Sequence, residues 1–268
     1  ALYYIEGHIL HAQEGTSVLR HNNATHELVT PFAEADSYNL GTGSGTVQHL
    51  PAIYAWQAND PRVDVQTIDI PGDGRFILAH RVFDNGDGTW RYEYAVHNLN
   101  SHRSGQGFSI PLGSGAQVRE TFHRDVKYHS GEVYTNEDWT MNTGPSAVTW
   151  SGQPFAGNAN ANALRWGTMF NFSITTDSPP TSGHVTLSLF RPGQGGSVQI
   201  AAEVPGPAPC FGDTNGSGAV DVDDLVAVIP GWGDCPKPPE ECPADVDASG
   251  EIDVDDLVAV ILNWGTCG

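Results

Sequence analysis

The sequence predicts a mainly β chain in which a large β-sandwich is followed by a small α-helical unit. Three features point there. Residues 1–203 run as short stretches of alternating apolar residues separated by Gly, Asn, Asp and Pro, the pattern of half-buried strands joined by tight turns. Within them no stretch keeps a capped apolar period of about 3.6 residues. Beyond the Pro-rich stretch 204–209 the composition changes, and one run, Leu-Val-Ala-Val-Ile, occurs twice, at 225–229 and 257–261. The expected organisation is a β-sandwich over 1–203, with a jelly roll as the candidate topology, a linker over 204–209 and a separate unit over 210–268.

Taken in chain order, strands are expected near 2–10, 26–32, 46–56, 63–70, 107–111, 116–127, 147–151, 164–174, 184–191 and 197–203. The clearest signal is a hairpin, 75–83 and 89–98, around the turn Asp84-Asn85-Gly86-Asp87-Gly88. Its second strand places Trp90, Tyr92, Tyr94 and Val96 on one face and Arg91, Glu93 and Ala95 on the other. The apolar opening Leu2–Leu10 reads as a first strand of its own domain. Addition to the sheet edge of a neighbouring subunit is the alternative.

The C-terminal unit carries two acidic loops with oxygen-bearing side chains at the spacing of a twelve-residue calcium loop. In the first, Asp213, Asn215, Ser217, the Ala219 carbonyl, Asp221 and Asp224 occupy the ligand positions, with Gly218 at the sharp turn. In the second, the ligands are Asp245, Asp247, Ser249, the Glu251 carbonyl, Asp253 and Asp256, with Gly250 at the turn. The copies lie 32 residues apart and run into the same apolar segment, so they form a repeat. Two calcium ions are the expected cofactor, with further sites in the N-terminal region left open.

Both loops close on Asp, where calmodulin-like hands use Glu, and no helix can enter the first loop through Val204-Pro205-Gly206-Pro207-Ala208-Pro209. In these respects residues 210–268 resemble a type I dockerin, a tandem EF-hand-like repeat with a helix after each loop. The resemblance implies calcium binding and docking on a cohesin-like scaffold protein. Val222-Asp223 and Val254-Asp255 stand where dockerins usually carry small or polar recognition residues, and Pro230 interrupts the first helix where the second copy has Leu262. Leu225, Ile229, Leu257 and Ile261 are the expected contact residues.

All four cysteines lie in this unit. In an antiparallel, pseudo-twofold pair of helices the start of one loop approaches the end of the other helix. Cys210–Cys267 and Cys235–Cys242 are then the favoured pairs, because bridging within a repeat would span about 16 Å of helix. Zinc is the competing reading, but the unit has neither a CxxC nor a His. Disulfides and calcium together imply an extracellular, secreted or cell-surface setting. The chain opens on Ala1 without Met, which reads as a mature form after signal cleavage.

The formal charge is −20. Residues 210–268 hold thirteen acidic residues and one basic, Lys237. Such a chain repels nucleic acid and anionic membranes, and no stretch approaches the length of a membrane span. In the N-terminal region Asp73, Asp84 and Asp87 sit in turns, and His123, Asp125, His129 and Glu132 are the densest ligand-like group, ahead of His8 and His11. A solvated surface is the plainer reading of that group. No Gly-x-Ser-x-Gly, His-Glu-x-x-His or phosphate loop is present, and no catalytic residue is assigned. The expected function is a calcium-stabilised structural or adhesive protein, a homo-polymer building an extracellular fibre or surface layer. The alternative is a dockerin-bearing carbohydrate-active or carbohydrate-binding protein that acts on polysaccharide from a scaffold.

Overall fold

A computed structural model describes residues 2–9, 21–34, 37–43, 45–127, 131–207, 210–236 and 242–266. Strand takes 45% and helix 11%, and every named sheet is antiparallel, so the mainly β expectation holds. The chain opens with β1 (Tyr3–His8), β2 (Ala24–Glu34), β3 (Ser37–Thr42) and β4 (Val47–Gln48), and both β1 and β3 pair with β2. β1 is thus an ordinary first strand paired within its own chain. After the short helix α1 (Tyr54–Asn59) come β5 (Asp64–Asp69), β6 (Arg75–Asp84), β7 (Trp90–Asn98), β8 (Gly105–Pro111) and β9 (Val118–Arg124). β10 (Thr140–Thr143), β11 (Ala147–Ser151), β12 (Thr168–Thr176), β13 (Pro180–Leu189) and β14 (Ser197–Pro205) complete the N-terminal part.

These last ten strands make two five-stranded sheets, in the orders β5-β6-β7-β12-β9 and β10-β11-β8-β13-β14. Alternation drives their association. Phe76, Tyr92, Tyr94, Phe170 and Phe172 of the first sheet share one core with Phe108, Trp150, Val185, Leu187 and Ile200 of the second. Phe108 stacks on Phe172 with ring centroids 4.5 Å apart. Polar groups cross the same gap in bonded pairs: the Tyr94 hydroxyl donates to the Glu203 carbonyl at 2.6 Å, and Glu203 N–H donates to His80 Nε2 at 3.0 Å. Of the nine connections between successive strands from β5 to β14, four stay within one sheet and five cross to the other.

The first sheet is apolar on both faces. Ile77, Ala79 and Ala95, on its outer face, are buried in a second cluster with Ala24, Ile53, Val63 and Leu99. That covering explains a departure from the sequence reading. The expected strand 46–56 ends early, and Tyr54–Asn59 turns into a helix that packs Ala55 inward. Pro51 and Ala52 start it by accepting from the N–H groups of Tyr54 and Ala55. The predicted hairpin is present, with Asp84 opposite Trp90. β3 and β10 had no sequence signal; β10 exposes every side chain and so shows no alternation. At the β5–β6 turn only glycine fits: a Cβ on Gly74 would meet the Asn100 carbonyl oxygen at 2.4 Å.

The C-terminal segment has its own cluster, built on Val220, Val228, Ala244, Ile252 and Val260. Its elements are β15 (Ala219–Val220), α2 (Val222–Val228), a 3₁₀ turn over Ile229–Gly231, β16 (Gly233–Asp234), β17 (Glu251–Ile252), α3 (Val254–Leu262) and β18 (Gly265–Thr266). β15 pairs with β18 and β16 with β17. Pro230 falls in the 3₁₀ turn that ends α2, while α3 continues through Leu262.

Two outcomes follow from this core. Phe172→Ala should cost about 3–5 kcal/mol in denaturant unfolding, whereas Phe122→Ala, on the exposed face of β9, should change stability by about 0.5 kcal/mol or less. Burial holds His80 below the usual histidine range, against the weaker pull of Asp64 and Glu203. The unfolded chain therefore takes up a proton near pH 6.5 that the fold refuses, so this contribution is complete above that pH and is lost as pH falls. The melting temperature of His80→Gln should drop less between pH 7.5 and 5.5 than that of the parent chain; equal slopes would refute the assignment.

Candidate metal centres in the C-terminal repeats

Each loop folds around its own acidic side chains. In the first, Asp213 accepts the N–H of Ser217 on Oδ1 at 3.0 Å and that of Gly218 on Oδ2 at 2.8 Å. Asn215 Oδ1 also accepts from Ser217 N–H, at 2.9 Å. Gly218 has φ +85° and Gly250 +94°, the left-handed conformation that the sixth position requires and that glycine adopts without strain. The second loop repeats this arrangement: Asp245 takes the N–H groups of Ser249 and Gly250 at 2.9 and 2.8 Å, and Ser249 Oγ donates to the Glu251 carbonyl at 3.0 Å.

The loops hand over to helices through reciprocal caps. Asp221 accepts from Asp223 N–H at 2.9 Å, while Asp224 Oδ2 accepts from Asp221 N–H, also at 2.9 Å. Asp253 and Asp256 do the same for α3. Each cap satisfies donors that a helix start leaves open and places carboxylates against the positive end of the dipole.

Asp224 and Asp256 are fully buried. Asp224 Oδ1 reaches back to the start of its loop, accepting the Thr214 N–H at 2.8 Å and the Asn215 N–H at 3.3 Å. Asp256 Oδ1 accepts from Val246 and Asp247 N–H at 2.6 and 3.2 Å. Burial pushes the Asp224 carboxyl up, but the N–H groups of Asp221, Thr214 and Asn215 and the Thr214 hydroxyl outweigh it and hold the group below the usual carboxylate range.

Part of the predicted ligand set is brought together: Asp213 and Asn215 converge on the Ser217 N–H, while Asp221 and Asp253 cap α2 and α3. In the second loop, oxygens of Asp245, Asp247 and Asp256 all lie within 4.8 Å of one another. Three carboxylates that close repel strongly unless a cation lies between them, and an all-oxygen donor set suits a hard ion such as calcium. Asn215 replaces the middle acid in the first loop, which leaves that copy less negative.

Cys235 and Cys242 are bonded, with Cα atoms 5.8 Å apart. Their sulfurs are committed to each other, which removes the thiolates a zinc site would need. Cys210 is also disulfide-bonded; its expected partner, Cys267, lies outside the described residues. Of the expected contact residues, Ile229 and Ile261 are exposed, but Leu225 and Leu257 pack against the cluster between the repeats. On α2 and α3 the outward stripe is instead Val222, Val226 and Ile229 with Val254, Val258 and Ile261. The duplicated run alone could not separate these faces, because every residue in it is apolar.

The N-terminal candidates behave differently. Asp84 and Asp87 close turns by accepting from Gly86 and Thr89 N–H, and Asp73 accepts from His102 and Arg103 N–H. His123 points inward and stacks on Phe172, with centroids 4.9 Å apart, and burial pushes it below the usual histidine range. Asp125 accepts from Asn162 Nδ2 at 2.5 Å, Glu132 is exposed, and His129 and His11 lie outside the described residues. Sequence reasoning passed over His97, which is buried on the outer face of β7 and pushed down to about 4, by burial first and His8 second, against the opposing pull of Glu6.

No protein-family model matches the chain, and no curated protein matches it.

Calcium titration of the chelator-stripped chain should resolve two steps, the tighter one belonging to the second loop because it carries the extra carboxylate. Asp247→Asn should weaken that step by about tenfold or more, toward the level of the first loop. A tight step that survives Asp247→Asn unchanged, followed by calorimetry, would refute the assignment.

Proposed function

We propose that this chain is a secreted, calcium-binding structural or adhesive protein that self-assembles into an extracellular fibre or layer. Residues 210–268 are its calcium-stabilised, dockerin-like connector. The observation that carries the reading is the pair of matched apolar stripes on α2 and α3. Val222, Val226 and Ile229, and Val254, Val258 and Ile261, follow i, i+4, i+7 spacing and are each 43–57% exposed. Trp232 and Trp264 extend the apolar surface, each 53% exposed. Water-exposed apolar area of that regularity is a docking surface. At the tenth loop position valine replaces the polar residues usual in dockerins, so each stripe begins at the end of its calcium loop.

The N-terminal part offers a complementary surface. On the outer face of the first sheet, Trp56, Phe122, Arg124 and Asn171 line an open groove of about 310 Å³. A ridge on one part of a chain that fits a groove on another part of the next copy makes a head-to-tail contact, which propagates as an open filament. Arg124 there, with Glu93 also in the lining, meets a segment that carries −12 of the chain's net −20. Calcium supports the contact by setting the relative position of the two helices.

A second reading rests on a smaller cavity of about 170 Å³, where half-exposed Trp166 stands with Tyr134, Asn136, Asn162 and Arg165. An aromatic face beside amide and guanidinium donors suits a sugar ring. In that case the same stripes recruit the protein to a cohesin-like scaffold.

Electron microscopy with calcium should show polymers that dissolve on chelation. Val226→Asp with Val258→Asp should leave calcium binding intact and abolish polymers. Double-variant chains that still polymerise would refute the docking role. Monodisperse monomers retained on a polysaccharide, with retention lost in Trp166→Ala, would establish the second reading in place of the first.

A further inference from the structure

A second, chemically different cluster of ligand-type side chains lies in the N-terminal part, between β1 and β7. β1 alternates, so Tyr4, Glu6 and His8 share the face that is turned away from solvent, while Tyr3, Ile5 and Gly7 are exposed. His97 comes from β7, on the outer face of the first sheet, and is 3% exposed. Glu6 is held at two points: Oε2 accepts the Ala52 N–H at 2.5 Å, and Oε1 contacts His8 Nε2. The same Oε1 lies 3.5 Å from His97 Nε2. One atom from each of the three residues lies within 4.8 Å of the others.

We propose that Glu6, His8 and His97 form a binding site for a borderline first-row divalent cation of the zinc class. Two ligands on a tetrahedral ion at about 2.0–2.1 Å stand about 3.3–3.4 Å apart; His97 Nε2 and Glu6 Oε1 are close to that separation, while His8 Nε2, in direct contact with Glu6 Oε1, has to move back for an ion to enter between them. Two imidazoles and one carboxylate form a donor set that a zinc-class ion accepts and calcium disfavours, so the site does not compete with the oxygen loops. Three protein ligands leave a fourth position for water or substrate.

Hydrogen bonding alone leaves this cluster badly satisfied. His97 Nδ1 is buried and has no hydrogen-bond partner among the described residues. With the proton on Nδ1, the Nε2 lone pair faces the Glu6 carboxylate, which is repulsive unless a cation lies between them. With the proton on Nε2, the Nδ1 lone pair is stranded away from water.

The test uses the full chain, stripped of metal and then kept saturated with calcium. Titration with zinc should show one site per chain. Cobalt should give the intense visible absorption of a four-coordinate ion, which octahedral oxygen sites lack. His8→Ala, on an edge strand, and Glu6→Gln should each weaken zinc at least about tenfold. His184→Ala, an exposed histidine elsewhere, should bind as the parent does. Zinc should raise the melting temperature of the parent and not of His8→Ala, whose metal-free melting should match the parent's. No zinc binding under saturating calcium, or binding undiminished in both His8→Ala and Glu6→Gln, would overturn the proposal.

Discussion

The C-terminal repeats depend on placing a charge where water does not reach. Asp224 and Asp256 are fully buried in a segment whose apolar cluster is small. Hydrogen bonds to a charged group are worth about 1.5–3 kcal/mol each. The chain supplies three backbone N–H groups to each carboxylate, from the beginning of the loop and from the cap of the helix. The same atoms that neutralise the burial therefore tie loop entry to helix start. Loop curvature, helix orientation and the outward stripe all follow from that tie. A divalent ion would complete what the N–H groups begin, since the remaining loop carboxylates in the second copy still face one another.

In the N-terminal part the corresponding constraint is apolar. β6 and β7 are buried on both faces, so one face must meet a second sheet and the other must meet something else. The opposite sheet meets the first need through the aromatic core, and Ile53, with Ala24 and Val63, meets the second. Covering only part of the outer face has two effects. It encloses His97 beneath β1, and it leaves Phe122 and the adjoining groove open toward β9.

What the sequence made legible was whatever rests on local spacing. The sharp turns inside the two acidic loops, the 75–98 hairpin and the side of each β7 residue rest on local spacing, and the structure shows them. What stayed hidden depends on distant partners. Residues 54–59 lie at the end of an expected strand yet turn helical, with Ile53, Tyr54 and Trp56 packed on the outer face of a sheet formed later in the chain. Leu225 and Leu257 turn inward because the other repeat stands there. Glu6, His8 and His97 are brought together by a contact between β1 and β7, and no reading of spacing connects residues so far apart.

The pairing of the small ribbons has a consequence for ancestry. Ala219–Val220 of the first loop joins Gly265–Thr266, which follows the second helix, and Glu251–Ile252 of the second loop joins Gly233–Asp234, which follows the first. Each copy thus completes its partner and not itself. The repeat visible in the sequence is a unit of duplication but not a unit of folding. A lone ancestral copy would have needed a second molecule to finish its structure, so a homodimer of single repeats, later fused, is the form from which such an arrangement can descend.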